Sequence, residues 1–235
     1  MDTEVFARQL GAAVRDLNAQ PDPPHTLQRM VELTPEFFDS CDYVGVSLVE
    51  HDRIRTPVAS TEELRRLDES QYALGQGPCF DAIRREETVI VDDLAIDDRW
   101  PDWGRAMVAG LAVRASISFR LFTRDNTWGA LNVYSEQPGA FAQDDVLHGQ
   151  VIAAMCAVAL ARSINDDQLA SALETRTVIG QATGIVMERY GLDPETAFNV
   201  MRRLSSEHSR KLRDLAAQVV AERRLPGSAD GVGGS

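Results

Sequence analysis

The sequence lacks the short motifs on which common enzyme classes rely. It contains no HExxH metal-binding pair, no Walker loop, and neither of the motifs GxSxG and GxGxxG. Its three cysteines, Cys41, Cys79 and Cys156, lie far apart without a CxxC pair, and its four histidines are equally scattered. We therefore expect buried thiols in a reducing compartment, no metal site, no catalytic residues and no enzyme activity.

Long apolar runs are also missing. No run approaches the roughly 20 residues that a helix needs to cross a bilayer. The first 17 residues mix acidic and arginine side chains in an amphipathic pattern, which differs from a secretory signal. The expected location is the cytoplasm.

Basic side chains are scarce overall but unevenly distributed. The net charge is −12, which would argue against a nucleic-acid partner if it were spread evenly. Residues 1–175 hold 15 basic and 29 acidic side chains, whereas residues 176–225 hold nine basic and six acidic ones. Such asymmetry hints at a nucleic-acid-facing module attached to an acidic partner, although a solvated helix face gives the same count.

The order of periodicities predicts an α+β protein. Two amphipathic helices precede position 40, and β-rich runs then alternate with short helices as far as Tyr134. Turns are expected at His51-Asp52 and at 123–126. From Ala142 to about Tyr190 an apolar stripe without proline predicts a nearly continuous helix, in which a break could fall at 163–167. By composition, residues 226–235 form a disordered tail.

The segment after position 175 predicts three short helices. Gly191 should end the first in a left-handed conformation. Asp193 and Pro194 should begin the second as its N-cap and first helical residue. Ser209 is expected to cap the third. Each helix has one apolar face, so the three should form a compact bundle.

The polar side of this bundle is basic. Arg210, Arg213 and Arg224 share an arc of the helical wheel, and Arg202 stands one turn after Phe198. Guanidinium groups bind phosphates bidentately, and both guanidinium and aromatic groups stack on unpaired bases. A solvated basic face with Phe198 in the core would give the same spacing, and on spacing alone it is the simpler interpretation.

The run TRTVIGQATGIVMERYGLDPETAFNVMRRLSSEHSRKLRDLAAQVV, residues 175–220, resembles the ANTAR domain, an RNA-binding module of bacterial transcription antitermination regulators. The motifs IGQAxGIVMER, PETAF, LS and KLRDLA follow in order. Thr183 departs from a common lysine and Ser209 from a frequent asparagine. The resemblance implies binding to RNA stem-loops. With the basic spacing it gives these candidate RNA-binding residues: Arg176, Gln181, Phe198, Arg202, Arg203, Arg210, Lys211 and Arg213.

Residues 24–165 resemble a GAF domain, a sensory fold with a six-stranded sheet. The matching runs are LGQGPCFDAIRREETVIVDDLAIDDRW, RASISFRLF and WGALNVYSEQPGAF. The resemblance implies a possible small-molecule ligand but does not identify it, and the NKFDE run associated with cyclic-nucleotide binding is absent. The expected layout is an N-terminal helix at 1–23, a GAF domain at 24–165 and an ANTAR domain at 166–225.

Two site interpretations in the GAF-like part stay open. A GAF-fold reductase of free methionine sulfoxide uses cysteines, and Cys79 could begin a helix, which would favour its thiolate. A cysteine packed under the glycine-rich loop is the simpler alternative. His148 is expected to be exposed or interfacial rather than a haem ligand. Trp100 and Trp103 are expected to be lid or core aromatics.

The resulting expectation is a signal-responsive RNA-binding antitermination regulator that binds stem-loops in nascent mRNA. The apolar stripe from Val151 to Leu173 predicts a homodimer, and any ligand should act through the connecting helix. Two alternatives remain: a DNA-binding transcription factor, recognised by retention on duplex DNA, and a thiol enzyme or redox sensor, recognised by turnover that Cys79→Ser abolishes.

Overall fold

The computed structural model describes residues 3–50, 53–84, 88–124 and 126–226. The chain divides into two compact units, Met1–Asp166 and Asp167–Ser235, hereafter unit 1 and unit 2. The turn expected at His51-Asp52 lies outside the described residues, as do Asp125 of the second expected turn and positions 227–235 of the expected tail.

The order of helices and strands is that of an α+β protein. The strands are β1 (Tyr43–Glu50), β2 (Arg53–Ala59), β3 (Thr88–Val91), β4 (Ala115–Phe122) and β5 (Thr127–Ser135). The helices are α1 (Thr3–Asn18), α2 (Pro23–Leu33), α3 (Glu62–Leu74), α4 (Pro78–Arg84), α5 (Pro101–Leu111), α6 (Gln143–Tyr190), α7 (Pro194–Glu207) and α8 (Leu212–Glu222). A 3₁₀ turn, Thr34–Phe37, follows α2.

The sheet of unit 1 is antiparallel, in the order β2-β1-β5-β4-β3. The described residues form five strands, so the expectation of six, which came from the family resemblance, is corrected. The connection between β3 and α5 forms turns instead of a strand. There the Asp93 carboxylate accepts the Ala95 N–H at 3.0 Å and pairs with Arg114 at 2.6 Å, which holds the backbone in a turn.

Alternating residues of β4 separate two cores. Ala115, Ile117 and Phe119 point into a core shared with α1, α2 and α6. Phe119 packs so closely on α6 that a Cβ added at Gly149 would lie 2.0 Å from its ring. The other face of the sheet packs against α3, α4 and α5 through a second apolar cluster that contains Leu64, Val91, Trp103, Met107 and Tyr134.

Helix α6 bears on the expectation that no segment of the chain crosses a membrane. It is long and apolar enough, over an 18-residue window, to span a membrane by composition alone. Its residues Ile152, Cys156 and Leu160 are buried in the core of unit 1, at 1% exposure or less. Burial in this core accounts for part of the apolarity, since 39% of the window is buried, and the core helix of a globular domain passes the same test. Residues 163–167, where a break could have fallen, are helical.

Local signals set the boundaries of the last helices in unit 2. Gly191 adopts φ +65° after α6, and Leu192 N–H donates to the Met187 carbonyl, as the sequence predicts. The Asp193 side chain accepts the Thr196 N–H, so the predicted N-cap of α7 is confirmed.

The predicted cap of the third helix is wrong. Helix α8 begins at Leu212 with Lys211 at its N-cap position. Ser209 instead adopts φ +51° in the preceding turn, where its N–H donates to the Ser206 carbonyl. The Ser205 hydroxyl donates to the Arg210 carbonyl, so hydrogen bonds within the turn fix its geometry and start the helix later.

Candidate functional sites

Unit 2 buries one apolar stripe from each of its helices. The fully buried side chains, at 0% exposure, are Ala182 and Val186 of α6, Ala197 and Met201 of α7, and Leu215, Ala216 and Val219 of α8. The eight candidate RNA-binding side chains all lie outside this core, on exposed positions: Arg176, Gln181, Phe198, Arg202, Arg203, Arg210, Lys211 and Arg213. Phe198 is 36% exposed. The simpler alternative, a solvated basic face with Phe198 buried in the core, therefore does not describe this residue.

Phe198 and Arg202 share one flank of α7. They are four residues apart, which places their side chains one turn apart on the same side of the helix. Arg203 lies about 100° further around the axis. Its guanidinium pairs with Glu207 at 2.7 Å, and this hydrogen bond raises the pKa of Arg203. The structure therefore joins Phe198 with Arg202 and separates both from Arg203.

The two candidates on α6 lie on different flanks. Arg176 and Gln181 are five residues apart, which corresponds to about 140° around the helix axis. Gln181 lies instead within about 20° of Glu174, seven residues earlier. The Arg213 guanidinium reaches Glu174 at 2.9 Å, so Arg213 and Gln181 belong to one side of the bundle. Arg176 is not brought to that side.

The cations of the turn before α8 differ in their partners. Arg210 donates to the Gln218 side chain at 2.6 Å, a neutral acceptor that leaves its charge uncompensated. Within the described part of the chain, the side chains of Arg176, Arg202 and Lys211 have no hydrogen-bond or ion-pair partner. Such side chains are available for phosphate groups, and an exposed ring beside a guanidinium is available for base stacking. The Glu174 contact was missed at the sequence level, because 39 residues separate it from Arg213.

A buried polar network occupies the sheet face beneath α3 and α4 in unit 1. Asp68 of α3 is 0% exposed and accepts hydrogen bonds from Tyr134, from Gln71 at 2.8 Å and from Asn132 at 3.4 Å. Burial raises the pKa of Asp68 to about 7, and the three hydrogen bonds oppose this shift. The Asn132 side chain also donates to the Ser47 hydroxyl at 3.0 Å. This network is absent from the sequence prediction, which had no signal that a charged residue of an exposed-looking helix is buried.

The thiols are protonated. Cys79 lies at the start of α4 but is fully buried, with Sγ 3.1 Å from the Ser47 hydroxyl. Burial raises the pKa of Cys79, of half-buried Cys41 and of buried Cys156 to about 12 each. A helix start lowers the pKa of a cysteine, but at Cys79 the opposite effect of burial is larger. The structure therefore does not support a thiolate at Cys79.

The remaining aromatic and histidine expectations agree with the structure. Trp100 and Trp103 are buried core residues, whose indole N–H groups donate to Asp81 and to the Leu67 carbonyl at 3.0 Å each. His148 is half-buried and stacks on Phe6, with the ring centroids 4.1 Å apart, so it lies between α1 and α6. Among the described residues no group of three histidine, cysteine or acidic side chains is placed to hold a metal ion.

Comparison with protein families finds two domains in the chain. A GAF domain model matches residues 20–161, and an ANTAR domain model matches residues 167–220. No curated protein matches the sequence.

Solved structures resemble unit 1 in fold. Free methionine-R-sulfoxide reductase from Neisseria meningitidis, solved with its substrate, has a TM-score of 0.55 at 18% identity, over 71% of this chain and 95% of its own. The GAF domain of a phosphoenolpyruvate-protein phosphotransferase from Acinetobacter has a TM-score of 0.54 at 17% identity, over 70% and 97%. The corresponding domain from Coxiella burnetii has 0.55 at 15%, over 69% and 96%. These identities establish the fold alone.

The sheet with helices on both faces, followed by a small helical unit, defines a regulatory protein in which a GAF domain precedes an ANTAR domain. The chain belongs to the GAF domain family, since that model matches more than half of its residues, and its C-terminal part is an ANTAR domain. This architecture is that of an RNA-binding regulator with a sensory domain.

Proposed function

We propose that this protein is a signal-responsive transcription antitermination regulator whose ANTAR domain binds stem-loops in nascent mRNA. The exposed pair Phe198 and Arg202 on one flank of α7 is the observation that carries the proposal. The ring offers a stacking surface to an unpaired loop base, and the guanidinium offers bidentate hydrogen bonds to a base edge or phosphate. The proposed function involves no catalysed covalent reaction.

The other cations supply affinity rather than sequence discrimination. Arg210 and Lys211 lie in the turn that precedes α8, and neither is neutralised by a carboxylate in the described residues. Arg176, Gln181, Arg203 and Arg213 complete the proposed contact set. Contacts between such side chains and phosphates position the RNA, whereas the unpaired bases carry sequence information. Arg203 and Arg213 should contribute less, because Glu207 and Glu174 already compensate their charges.

The proposal is tested by fluorescence anisotropy of the full chain with a labelled RNA hairpin, the same RNA with its loop closed into a duplex, and duplex DNA of equal length. We expect the hairpin to bind more tightly than either duplex. Tighter binding to duplex DNA would favour a DNA-binding transcription factor, in which a recognition helix enters the major groove. Equal affinities for all three would contradict sequence-directed binding.

We further propose that two copies of the chain pair through α6. In unit 1 this helix exposes Leu147, Val151 and Val158, by 53%, 45% and 61%. With exposed Ala154 between them, their spacing of four, three and four residues matches a coiled-coil seam. In unit 2 the same helix exposes Leu169 and Leu173, by 61% and 56%. Apolar side chains repeated along a helix favour burial against a second copy.

The sensory domain would report on a small molecule in the cytoplasm. Under this proposal residues 1–23 form an N-terminal helix, residues 24–165 the sensory GAF domain and residues 166–225 the RNA-binding domain. Helix α6 has residues in both domains. A ligand would change RNA affinity only by its differential affinity for two arrangements of the protein, typically about 1–3 kcal/mol.

A further inference from the structure

A cavity of about 300 Å³ lies in unit 1 between strand β2 and helices α3 and α4. Its lining consists of Arg53, Ile54, Tyr72, Phe80 and Arg84. This volume stands at the lower end of the range that small organic ligands occupy in proteins. Among the described residues, the lining combines two cations, two aromatic rings and one aliphatic side chain and holds no carboxylate. Such a lining selects for negative charge on one part of a ligand and an apolar body on the other.

The two arginines of the cavity have no ion-pair partner in the part of the chain that the structure describes. There, neither Arg53 nor Arg84 has a carboxylate within ion-pair distance. Among the described residues, the acid nearest in sequence to Arg53 is Glu50 of the same hairpin, whose carboxylate pairs with Arg55 at 2.6 Å. Asp52, the neighbour of Arg53, lies outside the described residues. Residues 1–175 carry 29 acidic and 15 basic side chains, so two guanidinium groups at one cavity stand out in an acidic part of the chain. An anion that enters the cavity gains their charge without displacing a carboxylate of the described residues.

The aromatic lining orients one of these guanidinium groups. The Arg84 guanidinium carbon lies 4.3 Å from the Phe80 ring centroid. A guanidinium that rests on a ring face keeps its N–H edge available for a carboxylate or phosphate. The Phe80 and Tyr72 rings and Ile54 supply apolar surface for the remainder of the ligand. Two aromatic rings in the lining favour a planar organic body, because it can stack on a ring.

Tyr72 connects the cavity to the buried network of unit 1. Its ring lines the cavity, and its hydroxyl lies 2.5 Å from the Ser47 hydroxyl, 2.9 Å from that of Thr56 and 3.8 Å from Cys79 Sγ. Ser47 in turn accepts from Asn132, whose Oδ1 is buried without a hydrogen-bond partner. A ligand that shifts the Tyr72 ring must therefore rearrange hydrogen bonds that extend to Asp68, so occupancy of the cavity changes the interior of the domain.

We propose that this cavity binds a small planar organic anion. Arg53 and Arg84 hold its anionic head group, and Phe80 and Tyr72 pack against its body. The inference rests on the proposed sensory function and names the ligand class for it. A carboxylate and a phosphate monoester both satisfy the two guanidinium groups, so both are tested.

The test is isothermal titration calorimetry of the full chain with benzoate, phenyl phosphate and the uncharged benzamide. We expect at least one anion to bind more than tenfold more tightly than benzamide. The double variant Arg53→Gln/Arg84→Gln should weaken that binding at least tenfold. The control Arg15→Gln, which removes an exposed arginine of α1 far along the chain, should leave it unchanged. Circular dichroism of each variant checks folding.

Two results would overturn the proposal: no binding of either anion at millimolar concentration, or anion binding that the folded double variant retains in full. Binding of benzoate alone, or of phenyl phosphate alone, would identify the preferred head group and support the site. Binding of the RNA hairpin, measured separately on the same preparations, distinguishes a failure of the anion site from a failure of the proposed RNA function. Anion binding without hairpin binding leaves the cavity assigned and contradicts the RNA function, and the reverse result contradicts only the cavity.

Discussion

The guanidinium of Arg213, at the start of α8, lies 2.9 Å from the carboxylate of Glu174 on α6. This ion pair joins two helices of the ANTAR domain and neutralises one of the cations that sequence spacing assigns to RNA. Both side chains are well exposed, so the pair contributes at most about 1 kcal/mol to folding. Its larger effect is on RNA affinity. Arg213 must either break its ion pair with Glu174 or keep it while also contacting a phosphate.

Glu174→Gln should therefore strengthen hairpin binding severalfold. Freeing Arg213 adds roughly one phosphate contact, which steepens the slope of log affinity against log salt by about 0.7–0.9. Anisotropy over a salt series measures both quantities. Glu188→Gln removes the same charge from an exposed position of α6 and is the matched control. Equal gains in the two variants would show that overall charge, and not release of Arg213, is responsible.

Leu169→Asp should weaken the homodimer, since it places a charge at an exposed apolar position of α6. Light scattering at micromolar concentration should show a dimer for the parent chain and a larger monomer fraction for the variant. Gln168→Asp, at the adjacent exposed position, introduces the same charge and should leave the dimer intact. A monomeric parent chain would contradict pairing through this helix.

The free energy of unfolding of the GAF domain should decrease as the pH rises from about 4 to about 7. Burial raises the pKa of Asp68 to about 7, above the unfolded value of about 3.9, so the folded state holds the proton more tightly in that window. The unfolded state binds fewer protons there, and the free energy of unfolding decreases by up to about 1.4 kcal/mol per pH unit. Asp68→Asn keeps an acceptor for Tyr134 and should flatten this dependence.

Urea unfolding from pH 4 to pH 8 measures the effect of Asp68. Asp39→Asn, at an exposed position, is the control and should retain the parent's pH dependence. If Asp68→Asn and the parent lose stability in parallel as the pH rises, Asp68 is ionised in the folded domain throughout that range.

The chain should not reduce free methionine-R-sulfoxide, despite the resemblance of its fold to reductases of that substrate. Burial holds the Cys79 thiol protonated at neutral pH and leaves it inaccessible, so it is a poor nucleophile. A coupled assay with a thiol reductant tests this expectation. Turnover by the parent that Cys79→Ser abolishes would establish a thiol enzyme instead.

Local signals made much of the fold predictable from the sequence. Gly191 and Asp193 act on backbone groups within a few residues of themselves, so their roles follow from residue type and position. Ser209 failed as a cap because the turn is fixed by contacts of Ser205 and Ser206, which compete with capping.

Long-range contacts could not be predicted in this way. Asp68 looks like a surface residue of an amphipathic helix, and only its contact with Tyr134, 66 positions away, shows that it is buried. The Glu174 partner of Arg213 and the meeting of Arg53 with Arg84 depend on how the helices and strands pack. Helical spacing placed Phe198 beside Arg202, but it could not tell an exposed ring from a buried one.

The most direct test of the RNA-binding surface compares Arg202→Ala and Phe198→Ala with Arg105→Ala, an exposed arginine of α5 in the GAF domain. Each full-length variant is titrated with a hairpin and with the same stem carrying a substituted loop, and circular dichroism checks folding. We expect Arg202→Ala and Phe198→Ala each to lose about 1–3 kcal/mol of hairpin affinity and most of the preference for the original loop. Arg105→Ala should match the parent. If the folded Arg202→Ala and Phe198→Ala variants bind both hairpins as the parent does, the RNA is not bound by this flank of α7.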